Sequence, residues 1–174
     1  MKKTVFILFC LMVVTQLFTG CYKTDDGTFT DPITIYEKMA GNWTTSGVTQ
    51  VDLIAVSAGT KPDKVALTSK FSFKTFTINF ATDDKFNPTT FTVGGTSPEL
   101  FLKSGYWKLN NPFPNTDGTP LAIELYSDEA KTQLVDQLTI SVVPGAKATM
   151  QFDLIRKSNN IPYVSYQYSL KLAK

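Results

Sequence analysis

Residues 164–172, with the sequence VSYQYSLKL, decide the fold. The even positions of this segment carry apolar or aromatic side chains, and the odd positions carry polar ones. Alternation with a period of two is typical of a β-strand that has one buried face and one face in solvent. The same pattern recurs at residues 121–125, 138–142 and 150–154. The second half of the chain is therefore predicted to be a series of strands.

Turn-forming sequences separate the alternating segments, for example Gly94-Gly95, Pro144-Gly145 and Ser158-Asn159-Asn160. The short turns favour an antiparallel up-and-down arrangement, whose edges must be covered by closing into a barrel or by packing as two sheets. We therefore predict an all-β fold, an eight-stranded antiparallel up-and-down β-barrel, with a two-sheet β-sandwich as the alternative. The eight strands are expected near residues 43–55, 70–80, 89–93, 104–110, 120–126, 134–142, 147–156 and 163–172.

Two local features precede or interrupt this pattern. Residues 33–40, between Asp31-Pro32 and Gly41, fit a short helical turn. In the second predicted strand the apolar positions have odd residue numbers up to Phe73 and even residue numbers from Phe76 onward. This change indicates a bulge near residues 74–75 or two separate strands.

The amino-terminal residues are typical of a secretion signal. A basic head at Lys2 and Lys3 precedes an apolar run over residues 5–14, which is too short to span a membrane. The sequence Thr19-Gly20-Cys21 that follows resembles the lipobox of bacterial lipoproteins. The resemblance implies that residues 1–20 are removed, that Cys21 carries the lipid, that residues 21–32 are a tether and that residues 33–174 form the barrel domain.

The expected location is the outer membrane, to which the lipid on Cys21 anchors the protein. The residues after Cys21, with Lys23, Asp25 and Asp26, resemble the short Lys-plus-acid tag of surface-exported lipoproteins, which would place the protein on the cell surface. The alternative is a plain solvated tether. The sequence leaves the leaflet and the oligomeric state open.

Composition narrows the classes of function. Only two of the 17 basic residues lie in the signal, so 15 basic residues face 15 acidic ones in the remainder. No basic stripe is present, so nucleic-acid binding is not expected. The chain has no His, and its two cysteines are Cys10 in the signal and Cys21. Histidine-based catalysis, a thiolate nucleophile and histidine metal ligands are therefore excluded.

The sequences Gly41-Asn42-Trp43 and Gly105-Tyr106-Trp107 resemble the Gly-x-Trp motif that opens the first strand of lipocalins. The chain as a whole is similar in layout to small lipocalin-like bacterial lipoproteins of unknown function. The resemblance implies a barrel with one end plugged by the helical turn and Trp43. It also implies a basic residue over that indole, for which Lys171 or Lys174 is the candidate, whereas Arg156 is expected at the opposite rim.

The interior positions predicted from parity are bulky, so we expect a packed barrel. The alternative is an apolar cavity near one mouth, lined by Tyr166 and Tyr168. The parity of the strands places Tyr106, Tyr126 and Tyr163 on the outer face of the barrel, where exposed rings could stack on sugars. The alternative is that these tyrosines only pack at half-exposed strand positions, which tyrosine favours.

Carboxylates are the main catalytic groups left. Glu124 and Asp153 are expected on solvated outer faces, and Asp136 has inward parity near a rim. No spacing indicates a glycosidase pair or a calcium loop, so no catalytic residue, metal or cofactor is expected.

The sequence therefore predicts a membrane-anchored, non-enzymatic binding or accessory module for a small apolar ligand or a glycan. One alternative is a structural or protein-interaction subunit of an outer-membrane assembly, and a more distant one is a carboxylate-based glycan hydrolase. A solid interior would favour surface recognition. Tyrosines on different faces would then favour the interaction protein over the glycan binder.

The first prediction concerns processing. Mass spectrometry of the protein from its native membrane is expected to find acyl groups on Cys21 as the first residue, because the sequence around it fits the signal for lipid attachment. Cys21→Ser is expected to remove the acyl mass. An unmodified amino terminus at any other residue would contradict the assignment.

Overall fold

Strands make up most of the domain, as the alternation predicts. A computed structural model of the chain describes Gly27, residues 32–113 and residues 116–173, and all of its helices and strands described here belong to the unit Ile33–Lys174. In chain order these elements are α1 (Ile35–Met39), β1 (Gly41–Asp52), α2 (Leu53–Ala58), β2 (Lys64–Ala66), a 3₁₀ turn (Phe73–Thr75), β3 (Thr77–Thr82), β4 (Pro88–Gly94), β5 (Ser104–Leu109), β6 (Ala122–Tyr126), β7 (Leu134–Val142), β8 (Thr149–Ser158) and β9 (Ile161–Leu172).

The first and last strands pair and close the sheet. β1 and β9 are antiparallel over nine register positions, from Trp43 opposite Leu172 to Asp52 opposite Val164, with one irregularity between Thr45 and Gly47. The remaining order is β1-β3-β4-β5-β6-β7-β8-β9. The predicted eight-stranded antiparallel barrel is confirmed, and the two-sheet alternative is wrong. The short β2 is a ninth strand that pairs with the second half of β1.

The two ends of the barrel are distinguished by the loops they carry. We call the end at which β1 begins and β9 ends the tether end. It carries α1 and the connections β3–β4, β5–β6 and β7–β8. The opposite end, the far end, carries α2 and the connections β4–β5, β6–β7 and β8–β9.

Large apolar side chains face the interior at alternate strand positions, as the sequence pattern predicts. On β8 and β9 the even positions face the interior, and Met150, Phe152, Tyr168 and Leu170 are almost completely buried. Burial of this apolar surface is the main favourable term in folding. The buried cluster runs the length of the barrel from Ile35 and Met39 of α1 to Phe101.

A capped helix closes the tether end. Thr34 begins α1 with a reciprocal capping box, in which its side chain accepts from the Glu37 amide and the Glu37 carboxylate accepts from the Thr34 amide at 3.0 Å. The Trp43 side chain is 0% exposed, and its indole donates to the carbonyl of Met39 at 2.7 Å. Trp43 therefore lies under the helical turn, at the position that the lipocalin resemblance implies.

Two predicted strand segments are helical turns instead. The first strand was expected to continue to residue 55, but the Asp52 carboxylate accepts from the Ile54 and Ala55 amides and so begins α2. The second strand was expected from residue 70. A 3₁₀ turn at Phe73–Thr75 precedes β3, and this turn, not a bulge, changes the parity. Phe71 lies before the turn and is 69% exposed.

Truncation of the buried indole tests the plug. Trp43→Ala is expected to lower the free energy of unfolding by about 3–5 kcal/mol, because it removes a large buried aromatic side chain and leaves a cavity. Denaturant unfolding followed by circular dichroism measures this change. Ile161→Ala at an exposed position is the control and should cost less than about 0.5 kcal/mol. Equal effects of the two substitutions would contradict a plug at Trp43.

Candidate functional site

The interior of the barrel is filled by an aromatic cluster centred on Tyr168. The ring of Tyr168 lies 4.8 Å from that of Phe76 and 5.0 Å from that of Phe152, as measured between centroids. Phe73 and Phe101 meet the same ring edge-on at 6.2 and 5.9 Å. Aromatic pairs at these distances are in favourable contact. Side chains therefore occupy the space in which a lipocalin-type ligand would lie.

The far mouth is closed by the chain's own β4–β5 connection, residues 95–103. Phe101 of this connection is 9% exposed, and its ring contacts both Phe76 and Phe152 at 6.1 Å. The pocket beside Phe76 and Phe101 holds about 10 Å³, which is room for about one water molecule. A small-molecule pocket normally has about 300–1,000 Å³. This mouth therefore does not admit a ligand in the observed arrangement.

An ion pair holds this connection in place. Arg156 of β8 lies 3.3 Å from the Asp136 carboxylate of β7. The second oxygen of Asp136 accepts from the Leu102 amide at 2.9 Å, and Arg156 donates to the carbonyl of Leu100. The two side chains thus bind the backbone on both sides of Phe101. Asp136 and Arg156 lie at the far rim, where the sequence placed them.

Tyr166 and Tyr168 were predicted to line a cavity at one mouth of the barrel, but both pack in or against the core. Tyr166 is half-buried and packs against the core, whereas Tyr168 is 1% exposed at the centre of the cluster. Burial raises the pKa of the Tyr168 phenol. Among the residues that the structure describes, none accepts a hydrogen bond from its hydroxyl. The hydroxyl is a buried polar group in an otherwise apolar interior.

The barrel wall is open at one seam of the far rim. The ladder between β7 and β8 has three register positions, from Thr139 opposite Asp153 to Val142 opposite Gln151. Beyond Thr139 the strands separate around an open space of about 320 Å³. We call this space the seam. Its lining comes from residues 135–137 and Thr139 of β7 and residues 154–157 of β8.

The seam exposes backbone groups of β7. The Ile140 amide donates to the carbonyl of Leu121, on the β6 side. Because hydrogen-bonding direction alternates along a strand, the amide of Gln137 points to the seam, and the alternation ends at Val135, where the ladder with β6 is irregular. On β8 the residues beyond Asp153 pair with β9 on their other side. The seam is therefore bordered by two strand edges that face one another.

The three outward tyrosines do not form one surface. Tyr106 of β5 and Tyr126 of β6 are direct register partners, whereas Tyr163 is on β9, three strands away from β6. Tyr163 is 42% exposed, but Tyr126 is only 5% exposed. A single glycan-stacking patch of the three is therefore absent from the described part of the chain.

Tyr126 is covered by its neighbours on the outer face. Its hydroxyl donates to Glu124 at 2.7 Å, and the Lys108 ammonium lies 5.0 Å from its ring centroid. Burial, with a smaller contribution from the Glu124 carboxylate, raises the pKa of the Tyr126 phenol. The expectation of an exposed Tyr126 is wrong because Lys108 and Glu124, which lie 3.6 Å apart, enclose it.

Lys171 does not cover Trp43. It is paired with Thr44, and both side chains are exposed on the outer face. The register places Leu172, not Lys171, opposite Trp43. Lys38 of α1 is the cation that lines the same groove as Trp43 and Leu172. The expected role of Lys171 is therefore wrong, because the alternation of β9 directs its side chain outward. The other candidate, Lys174, lies outside the described residues.

The three candidate carboxylates have different partners in the barrel wall. Glu124 is paired with Lys108 on β6 and β5, and Asp136 is engaged at the far rim. Asp153 was expected to be solvated but is 9% exposed, and it accepts from the Ser165 hydroxyl at 3.3 Å. Within residues 32–113 and 116–173, no group of three or more His, Cys, Asp or Glu side chains is arranged to hold a metal ion.

Sequence reasoning missed two features of the far rim, the Phe101 plug and the seam. Leu100, Phe101 and Leu102 are three consecutive apolar residues in a segment without alternation, and this was the available signal for a buried loop. For the seam the available signal was the break in alternation at residues 134–137, ahead of the regular stretch 138–142.

The predicted lipidation site Cys21 and its tether lie outside the described residues, apart from Gly27 and Pro32. No helix in the described ranges has the length and apolar character needed to cross a bilayer.

The chain was also compared with known proteins. The sequence model of a family described as a domain of unknown function (DUF5004) matches residues 18–171. No curated protein and no solved structure matches the chain.

Removal of the Tyr168 hydroxyl tests the packing of the interior. Tyr168→Phe is expected to raise the free energy of unfolding by about 1 kcal/mol, because a buried hydroxyl without a partner costs more than it contributes. Chemical denaturation measures the change, and Tyr163→Phe at an exposed position is the control. A loss of stability in Tyr168→Phe would mean that the hydroxyl has a partner in solution.

Proposed function

The chain belongs to the DUF5004 family, and we propose that it is a lipid-anchored, non-enzymatic binding module that recognises a protein partner through the outer surface of its barrel. The observation that carries this proposal is the filled interior. Because Tyr168 and Phe101 occupy the centre and the far mouth, recognition is assigned to the outside of the wall and to the rims.

We place the recognition site at the seam. Two facing strand edges with free backbone donors and acceptors accept an extended peptide by strand addition, in which main-chain hydrogen bonds supply affinity and neighbouring side chains supply specificity. On β7 the seam has an apolar border at Val135, which is 50% exposed. On β8 it has the half-buried Ile155 and the exposed Lys157. These groups suit a segment with alternating apolar and polar residues.

The Asp136–Arg156 pair supports this assignment because it shapes the seam. Its side chains join β7 to β8 at the position where the backbones have already separated. The pair also binds the backbone at Leu100 and Leu102. The seam is thus a gap in the barrel wall, and the interior behind it is closed. This arrangement suits the binding of a strand along the wall better than the passage of a ligand into the barrel.

The chemistry of the groups present supports the proposal of a non-enzymatic role. The chain has no His, and Cys21 is assigned to the lipid. The carboxylates of Glu124, Asp136 and Asp153 each engage a hydrogen-bonding or charged neighbour in the wall. A glycosidase needs two carboxyl groups facing one another across a cleft. Because each of these three carboxylates is engaged by its own neighbour, we favour binding over hydrolysis.

The lipid anchor complements this role. Two or more acyl chains give stable membrane attachment, and a tethered module meets membrane-associated partners at a high effective concentration. The partner class that we propose is an extended segment of another protein at the same membrane, as in an outer-membrane assembly.

Site-specific photo-crosslinking in the producing cells tests the proposal. A photoreactive amino acid at Gln137, in the seam, is expected to give a discrete crosslinked protein species. The matched control is Gln151, which is exposed on the same sheet but lies in a paired stretch and donates to the Ser169 hydroxyl at 2.9 Å. The expected result is a product from position 137 that is missing from position 151.

A second variant tests whether the partner binds the main chain of β7 at the seam. Gln137→Pro removes an amide that points to the seam and spares the ladder with β6, so the melting temperature should change little. In this variant a photoreactive amino acid placed at Val135, which also lines the seam, should give no crosslink, whereas the same residue at position 135 of the unsubstituted chain should give one. Identical products from positions 137 and 151, or no product from either, would contradict the seam as the recognition site.

A further inference from the structure

An open apolar groove lies at the tether end, away from the seam. It has a volume of about 430 Å³ and is lined by Ile33, Trp43, Leu172 and the β7–β8 connection, with Lys38 as its only charged lining residue among the described residues. Ile33 is 65% exposed and Leu172 is 40% exposed. The groove therefore presents apolar surface to solvent directly beside the start of the domain.

Exposed apolar side chains continue around the same end. Each of its three connections contributes one, Phe86 in β3–β4, Phe113 in β5–β6 and Val143 in β7–β8. Phe86 and Phe113 are each 44% exposed. Together with Ile33 and Leu172 they form what we call the apolar rim. Large exposed apolar side chains gathered at one end of a domain favour contact of that end with another body.

Charge at the tether end is balanced. Among the residues described there, the lysines Lys38, Lys85, Lys147 and Lys171 face four acids, Glu37, Asp83, Asp84 and Asp117. The Asp83 carboxylate is engaged by the Lys85 and Asn87 amides of its own turn. The rim therefore offers an apolar contact surface at an end of the barrel whose described charges sum to zero. Its lysines are long enough to keep their ammonium groups in water while the rim is buried.

The position of the tether identifies what covers this rim. Residues 22–32 join Cys21 to Ile33, and eleven residues span at most about 40 Å when fully extended. If Cys21 carries the lipid, as the proposed function holds, the chain enters the barrel from the membrane at the end that bears the apolar rim. The anchor also supplies a millimolar effective concentration, so that even a weak contact is populated.

We propose that the apolar rim is a membrane-contact site that lies on the phospholipid bilayer, with Ile33, Phe86, Phe113 and Leu172 inserted among the lipids at the level of the headgroups. The far end and the seam then face away from the bilayer. Because insertion is apolar and the charges balance, binding should depend little on anionic lipid, in contrast to a polybasic contact.

Vesicle co-sedimentation of the mature chain with Cys21→Ser tests the site without the anchor. The chain is expected to partition onto phosphatidylcholine vesicles, and an equal mixture with phosphatidylglycerol should change the partition coefficient by less than about threefold. The pair Phe86→Asn and Phe113→Ser should lower the partition coefficient by about tenfold or more, since it removes two inserting rings.

Two exposed apolar residues outside the apolar rim, Phe71 and Ile161, offer a closely matched control. Phe71 and Phe86 both have left-handed backbones, with φ of 51° and 60°, and Asn tolerates that region. Phe71→Asn combined with Ile161→Ser removes two residues that are 69% and 66% exposed and should leave partition unchanged. Far-ultraviolet circular dichroism of both variants should retain the barrel signal.

Three results would overturn the membrane-contact site. These are no partition of the Cys21→Ser chain, equal losses from the two pairs of substitutions, or partition only onto anionic vesicles. None of them depends on whether Cys21 is acylated, because the tested chain carries no lipid. Mass spectrometry of the native protein decides the anchor separately, so failure of the contact site and failure of the proposed anchor are distinguishable.

Discussion

Pairing of β1 with β9 is the interaction on which the rest of the structure depends. Both strands have twelve residues, and nine register positions join them. This contact spans almost the whole length of the chain, so its closure entropy must be offset by burial inside the barrel. Once the sheet is closed, its interior is a fixed volume that either holds a ligand or is filled by side chains. In this protein it is filled.

Closure also creates two open ends, and the chain closes each with its own residues. At the tether end α1 covers Trp43, whose indole is bonded to Met39. At the far end Phe101 enters the mouth and is held through the Asp136–Arg156 pair. Such plugs explain why a barrel with the layout of a lipocalin has little space inside. We propose that recognition uses the seam, where the ladder between β7 and β8 stops.

The strands are predicted well because a strand with one buried and one exposed face has alternating apolar and polar residues in its sequence. The pattern at 164–172 and its repeats located β6 to β9. Alternation alone left two ways to cover the sheet edges, and the preferred one, closure into a barrel, is confirmed by the pairing of β1 with β9. The parity change between Phe73 and Phe76 was visible, but its cause was not, since a 3₁₀ turn and a bulge shift the parity alike. Asp52 as a helix cap was overlooked because Leu53–Ala58 reads as apolar continuation of a strand.

Residue roles were less predictable, because they depend on neighbours in space. Parity correctly placed Tyr126 on the outer face, yet the cover that Lys108 and Glu124 provide comes from cross-strand register. Lys171 is one residue away from the position that faces Trp43, and in a strand one residue reverses the face. Asp153 is buried on the outer wall beside Ser165, for which the sequence contains no signal.

Native-state hydrogen exchange of the barrel, followed by nuclear magnetic resonance, tests the closed wall most directly. If the account is correct, amides in the paired stretches of β1 and β9 exchange only through global unfolding, at the rate of the most protected amides. The amide of Gln137, at the seam, exchanges far faster than those of Leu138 and Ile140 on the same strand. Early exchange throughout β1 and β9, as expected for two free edges, would contradict the closed barrel.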